Sequence, residues 1–277
     1  MSITTRERGR MNTRSIVMIV LTLIMALPLY YMIVSTFKTP AEMAASPLGL
    51  PSSWSLENYV GVFQQNNIGR FFLNTVIVTV VSVVFQVLIG SLAAYGMILR
   101  KSWFTSVVGA VLLIAFAIPL QATLIPLYRM AAQVQLVNSI MGLILIYLGN
   151  AIFCYFLIVG YMRKLPMEIL EAARIDGAGP FRIYGSIVLP LIKPILTTVI
   201  VFQTLSTWND FLWPNVLLSS SENRTIVLAV FNAVGQFSTN WPMFMAITVI
   251  ALIPVFIFFL FCQRWIVAGL AAGAVKG

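Results

Sequence analysis

Glu171, Arg174 and Asp176 fall in one polar stretch, residues 166–194, which interrupts the apolar runs of the second half of the chain. Their chemistry is binding chemistry. A carboxylate and a guanidinium one helical turn apart can pair with each other, a contact worth little at a surface, or with charges on a docking partner. Covalent chemistry has no comparable set of residues. The chain holds no histidine, which excludes imidazole metal sites, histidine proton relays and Ser-His catalysis. It has no G-x-x-x-x-G-K-[ST] loop to cradle ATP phosphates, and neither H-E-x-x-H nor G-x-S-x-G.

Two further groups of polar residues lie inside apolar runs. Thr75, Thr79, Ser82 and Gln86 follow one another at i, i+4, i+7 and i+11, a single stripe of a helix. Gln203, Ser206 and Asp210 form a second stripe, with Trp208 and Asn209 alongside and Trp213 just beyond. Such residues are costly in a membrane and face protein or water. They can line a solute path, with Trp208 or Trp213 offering an aromatic face to a sugar ring. They can equally serve interhelical hydrogen bonding, and the two tryptophans an interfacial belt. Interhelical bonding is the more economical account.

The elements that position these residues are membrane helices. Sixty per cent hydrophobic and 9% charged residues in 277 define an all-α polytopic membrane protein, not a soluble domain. The net charge of +9 is spread between apolar segments, so topology rather than nucleic-acid binding accounts for it. Cys154 and Cys262 lie within apolar runs and read as packing residues.

Six spans are expected, at about residues 16–34, 72–99, 104–127, 139–162, 195–213 and 243–261. Arg100-Lys101, Arg163-Lys164 and Gln263-Arg264 close the second, fourth and sixth. The first is retained, being too long for a signal peptide and lacking a clear cleavage site. Pro119 and Pro126 kink the third or end it early. A polar loop follows the fifth span, and a Gly/Ala tail ends the chain. With the N-terminus inside, Arg6, Arg8, Arg10, Arg14, Arg100, Lys101, Arg163, Lys164, Arg174, Arg182, Lys193, Arg264 and Lys276 lie inside. Only Lys38, Arg70, Arg129 and Arg224 lie outside, thirteen against four. The positive-inside rule therefore puts both termini and the 166–194 stretch in the cytoplasm.

That stretch has its own grammar. Pro166 suits a first helical turn, Met167 to Asp176 reads as an amphipathic helix, and Gly177 is the expected left-handed stop. Gly179-Pro180 opens a second helix, and Leu189-Pro190 marks a bend back into the membrane.

The same spacing carries a resemblance. Glu171-Ala172-Ala173, three residues, Gly177, nine residues, Ile187, one residue and Leu189-Pro190 resemble the EAA loop of ABC importer permeases at every fixed position. Ser35-Thr36-Phe37-Lys38, Glu57-Asn58-Tyr59 and the tail from Gln263-Arg264 through Gly269, Gly273, Lys276 and Gly277 are similar to the carbohydrate-uptake branch, which includes the maltose-type importers. The resemblance implies one transmembrane permease domain over 1–277: a cytoplasmic segment 1–14, core spans within 72–268, the loop 166–194 and a cytoplasmic tail 263–277. It makes Glu171, Ala172, Ala173, Arg174, Asp176 and Gly177 the coupling residues of a short helix that docks in a cleft of an ATPase subunit, the small alanines letting backbones approach, with Gly177 as the cap and Asp176 read first as a local contact to backbone N–H groups or Arg174. It implies as partners a second, paralogous permease, an ATPase dimer that binds the ATP and Mg, and an extracytoplasmic solute-binding protein touching the loop at 214–241. Residues 263–277 would run toward the ATPase. The chain itself would hold no cofactor or metal, catalyse nothing, and sit in a prokaryotic cytoplasmic membrane. In maltose-type relatives the paralogous subunit supplies the sugar contacts. Thr79, Ser82, Gln86, Gln203, Ser206, Trp208 and Asp210 remain the path candidates here. The competing class is an ion-gradient-driven transporter, against which stands the near absence of acidic residues in the spans: only Asp210 qualifies.

Overall fold

A computed structural model describes residues 4–65, 67–99, 102–236 and 240–274, with side chains outside 4–14, 65, 120, 235–236 and 264–274. Every regular element in it is helical: α1 Thr4–Ser35, α2 Pro40–Ala45, α3 Glu57–Gln65, α4 Ile68–Leu99, α5 Trp103–Ala117, α6 Leu124–Gln133, α7 Ile140–Tyr147, α8 Ala151–Met162, α9 Glu168–Ile175, α10 Pro180–Ile183, α11 Leu189–Leu191, α12 Lys193–Trp208, α13 Leu212–Leu217, α14 Ile226–Gln236 and α15 Trp241–Ala274. In lipid a backbone must satisfy its own N–H and C=O groups, so long apolar runs become helices. Four stretches are long and apolar enough to cross a membrane: Ser15–Ser35, Ile68–Leu99, Ile140–Met162 and Trp241–Gln263. Two bent pairs raise the number to as many as six if each pair counts as one span.

The bends are where proline put them, or close by. α5 and the helical segment Gln121–Gln133 meet at 90° around Pro119. The second bend, 78°, falls at Ile192 rather than at Leu189-Pro190. Pro190 acts upstream instead. Lacking an N–H, it cannot serve the Ser186 carbonyl, and the chain takes a π-turn over Tyr184–Val188 in which Leu189 N–H reaches the Tyr184 carbonyl.

Two expectations need correction. The fifth span ends at Trp208, not 213, because Asp210 Oδ1 accepts the Leu212 N–H at 3.0 Å and starts a separate short helix. The loop after it contains α14, eleven helical residues with an apolar face. The sixth span, Trp241–Gln263, closes at Gln263-Arg264 as expected, and the helix itself continues to Ala274, since Gln and Arg are good helix formers. Arg100, Lys101, Ser238, Thr239, Lys276 and Gly277 lie outside the described residues, as do the side chains of Arg6, Arg8, Arg10, Arg14 and Arg264.

Contacts cluster into two units, residues 1–68 with 230–253, and residues 69–229 with 254–277. In the first, Lys38 is buried at 1% exposure and donates to the Ser46 carbonyl at 3.0 Å and the Pro47 carbonyl at 2.7 Å. Asn58 Nδ2 ties the same turn from the other side, donating to the Thr36 and Lys38 carbonyls at 2.8 Å each. In the second unit, one core gathers α4, α8, α9, α10 and the start of α12 around Tyr95, Ile158, Leu170 and Tyr184. Another gathers Val78, Leu143, Tyr147, Trp213 and Leu228.

Candidate functional site

The polar stretch folds as a helical knuckle. Glu168–Ile175 is helical, with Met167 at its N-cap and Pro166 one residue earlier, outside the first turn. Its stop is complete: Gly177 sits at φ +78°, its N–H donates to the Arg174 carbonyl at 3.0 Å, and Ala178 N–H donates to the Ala173 carbonyl at 3.0 Å. Those two bonds are the Schellman motif, and its left-handed residue is free of penalty only in glycine. Pro180 then opens α10 at the first turn.

The helix has a core side and an open side. Leu170 at 5% and Ala173 at 8% exposure join the α8 core, whereas Glu171, Ala172, Arg174 and Asp176 are exposed. The EAA alanines thus divide: Ala172 faces out, and Ala173 packs inward. Ile175 and Phe181 are bare apolar side chains, at 87% and 86% exposure. Among the described residues the single ion pair is Arg70–Glu222, so Glu171 and Arg174 do not pair with one another. The knuckle is fixed to α4 by three contacts. Tyr95 O–H donates to the Pro180 carbonyl at 2.9 Å, the Ser91 and Tyr184 hydroxyls meet at 2.7 Å, and the Tyr95 and Tyr184 rings lie 5.5 Å apart.

The membrane stripes divide differently. Thr75, Thr79, Ser82 and Gln86 are all buried on α4, as their spacing predicts. Thr75 Oγ1 accepts the Ile226 N–H at 2.8 Å and Gln86 Nε2 donates to the Tyr147 carbonyl at 2.8 Å, which is interhelical bonding. Thr79 Oγ1, Ser82 Oγ and Gln86 Oε1 are buried without a partner among the described residues. Gln203 donates to the Asn150 carbonyl at 3.2 Å. With Ser206 it lines a cavity of about 500 Å³ whose other walls include Phe116, Pro119, Gly149, Asn150, Phe153 and Phe202. The 3-10 turn Leu148–Asn150, which interrupts the fourth span, and the break at Pro119 open this space. Its volume and its few polar groups on aromatic walls suit a small ligand.

Asp210 does not reach that cavity wall. It lies past the end of α12, where Oδ2 accepts the Tyr147 O–H at 2.6 Å. Trp208 is buried with its ring 5.8 Å from Phe72, and with Thr79 it lines a separate apolar cavity of about 370 Å³. Trp213 is a core residue at 1% exposure, which removes it both from ring stacking and from an interfacial belt. Sequence reasoning missed the cavity's aromatic lining, Phe116, Phe153 and Phe202, because phenylalanine in an apolar run looks like any other lipid-facing residue. It also missed Asn138. That residue, at φ 56°, accepts the Ser219 and Ser220 N–H groups at 3.1 and 2.9 Å on Oδ1 and pins the 218–224 loop.

An all-helical chain with several stretches long and apolar enough to cross a membrane, and a cavity among broken helices, has the layout of a membrane transport protein. The profile of the family described as binding-protein-dependent transport system inner membrane component matches residues 86–271, and the chain belongs to that family. It is 35% identical, over 93% of its own length and 94% of the relative's, to a probable starch degradation products transport system permease protein of Thermoanaerobacterium thermosulfurigenes. It is 32% identical, over 91% of each chain, to the melibiose/raffinose/stachyose import permease protein of Bacillus subtilis. Its fold matches a chain of a bacterial ABC transporter that imports alginate, with TM-score 0.82, 23% identity and coverage of 95% and 98%. A second structure of a bacterial alginate ABC transporter, in complex with an alginate pentasaccharide-bound periplasmic protein, matches with TM-score 0.67 and 15% identity over 94% and 96%. The chain is a membrane-spanning permease component of an ABC importer.

Proposed function

We propose that this permease carries a carbohydrate and that its α9–α10 knuckle, on the cytoplasmic side, is where a separate ATPase subunit docks. The observation that carries the reading is the two-sided α9. Leu170 and Ala173 are built into the core with α8 and α4, while Glu171, Arg174 and Ile175 stand open with no ion pair among the described residues. A helix held this way transmits displacement rather than absorbing it. Closure of an ATPase dimer on ATP would carry α9 with it, and α8 and α12 would turn with α9, switching the cavity between sides. The thirteen-to-four charge asymmetry supports a cytoplasmic knuckle. A solute-binding protein on the opposite side, a second paralogous permease and two ATPase subunits complete the assembly, and the ATPases hold the ATP and Mg.

The carbohydrate class rests on the named substrates of the relatives and on the Gln203–Ser206 cavity, whose amide, hydroxyl and aromatic groups suit a polyhydroxylated ring. The test is ATP hydrolysis and solute uptake by the complex purified with this chain, native against Glu171→Ala and Gly177→Val. Hydrolysis that co-purifies with the native chain, and is lost or uncoupled from uptake in the variants, is the expected result. A chain that brings no ATPase and drives ion-dependent uptake unaffected by either variant overturns the reading.

A further inference from the structure

A further cavity, about 730 Å³, lies along the same helices as the Gln203–Ser206 cavity, lined by Thr105, Ser106, Gly109 and Leu113 of α5, Tyr155 and Phe156 of α8, and Arg163. Phe116 belongs to the walls of the first cavity, and Leu113, one turn back on α5, to those of the second. On α8, Phe153 lines the first and Phe156, one turn on, the second. Between the two sets of walls lies a run of rings, Phe116 among them half-exposed. The Phe116 centroid is 5.1 Å from Phe156 and 6.5 Å from Phe153, and Phe156 in turn meets Tyr155 at 4.9 Å.

Resting on the permease reading above, we propose that Phe116 is the partition between an outer solute cavity and a cytoplasmic vestibule, and that a solute passes when this ring leaves Phe153 and Phe156. The ring is placed to move. It sits at the end of α5, where Ile118 is extended and Pro119 can give no N–H to continue the helix. Aromatic pairs of this kind add little beyond their burial, so the contact closes the passage and still opens on the scale of a transport cycle. The vestibule also touches the knuckle: Met167, the N-cap of α9, is one of its walls. A displacement of α9 therefore alters the vestibule directly, beside Arg163 and two turns from Phe156 on α8. Small residues on two walls, Gly109 and Gly160, leave room for the passage.

The experiment places a single cysteine on either side of the partition, Ser206→Cys in the outer cavity and Ser106→Cys in the vestibule. Both positions are exposed, whereas the native Cys154 and Cys262 are buried, so the native chain gives the blank. The complete complex, in vesicles and held outward-facing by a non-hydrolysable nucleotide, is treated from outside with a membrane-impermeant thiol reagent. Ser206→Cys reacts and Ser106→Cys does not. Adding Phe116→Ala raises the Ser106→Cys rate at least several-fold. Leu113→Ala, which removes apolar volume from the same helix below the stack, leaves the rate low, and so distinguishes an opened partition from a loosened protein. If Ser106→Cys stays unreactive behind Phe116→Ala while Ser206→Cys reacts, the partition is wrong and the path stands. If both Phe116→Ala and Leu113→Ala admit the reagent equally, general loosening replaces the partition. If Ser206→Cys is unreactive throughout, the solute path itself lies elsewhere.

Discussion

Tyr95 on α4 donates its hydroxyl to the carbonyl of Pro180, the first residue of α10, at 2.9 Å. This bond joins a membrane helix to the knuckle across 85 residues of sequence. The Pro180 carbonyl also receives the Tyr184 N–H, so removing the hydroxyl strands no acceptor. Tyr95→Phe should therefore cost only about 1 kcal/mol, a typical net hydrogen bond, with ring packing on Tyr184 kept. The expected outcome is a chain that assembles normally and melts slightly lower, with fewer solutes moved per ATP hydrolysed. Unchanged stoichiometry would mean that the knuckle is held by its apolar core alone.

Gly177 sets the angle between α9 and α10. At φ +78° a side chain carries a left-handed penalty of about 1–2 kcal/mol, and more for a β-branched residue. No neighbour lies within 4 Å of an added Cβ, so the penalty is conformational, not steric crowding by the rest of the fold. Gly177→Asn should thus retain most coupling and Gly177→Val should lose it. Equal activity of the two, measured as ATP-driven uptake, would show that the Schellman turn is dispensable.

Much of this was legible in the sequence, and the failures have causes. Hydropathy located every apolar run because lipid leaves the backbone no alternative to a helix. The knuckle was legible because Gly177 and Pro180 fix backbone geometry through their own covalent structure. Helix ends beyond apolar runs were not: Gln263-Arg264 is a boundary of hydropathy, and the hydrogen-bond ladder of α15 ignores it. α14 was hidden by its polar flanks. The division of Ala172 from Ala173 depends on which face α8 covers, and that is a tertiary fact. The same holds for Thr79 and Thr75, identical in type and spacing, of which only Thr75 meets the N-terminus of α14.

Gly90 marks a close approach between α4 and α8. A Cβ there would lie 2.6 Å from Cys154 Cβ and 2.9 Å from both the Ala151 carbonyl oxygen and the Tyr155 nitrogen. Two of those three atoms are backbone and cannot step aside by changing rotamer. Gly90→Ala should destabilise by about 1–3 kcal/mol, the usual cost of overpacking. Cys154→Gly in the same chain relieves the side-chain clash alone, so it recovers only part of the loss. Thermal unfolding of the single and double variants in detergent measures both; a full recovery would locate the strain in Cys154 and not in the helix spacing.

Glu42 offers a pH test in the loop that precedes α3. The Ser52 hydroxyl, the Thr39 N–H and the Ser52 N–H all donate to its carboxylate, and together they lower its pKa from 4.5 to about 2. The carboxylate closes a capping box with Thr39 and bridges α2 to the Ser52 turn ten residues on. Because the folded pKa is the lower one, the bridge contributes fully above pH 4.5 and is lost as pH falls from there toward 2. Infrared difference spectra of the native chain against Glu42→Gln isolate this carboxyl group. Its protonated band should be missing at pH 3.5, where an ordinary glutamate is mostly protonated, and should grow in only near pH 2. A band already half-developed at the ordinary value would show that Ser52 and Thr39 do not hold the carboxylate in solution. The bridge would then be too weak to order residues 39–52, and the loop's shape would rest on the Lys38 and Asn58 contacts instead.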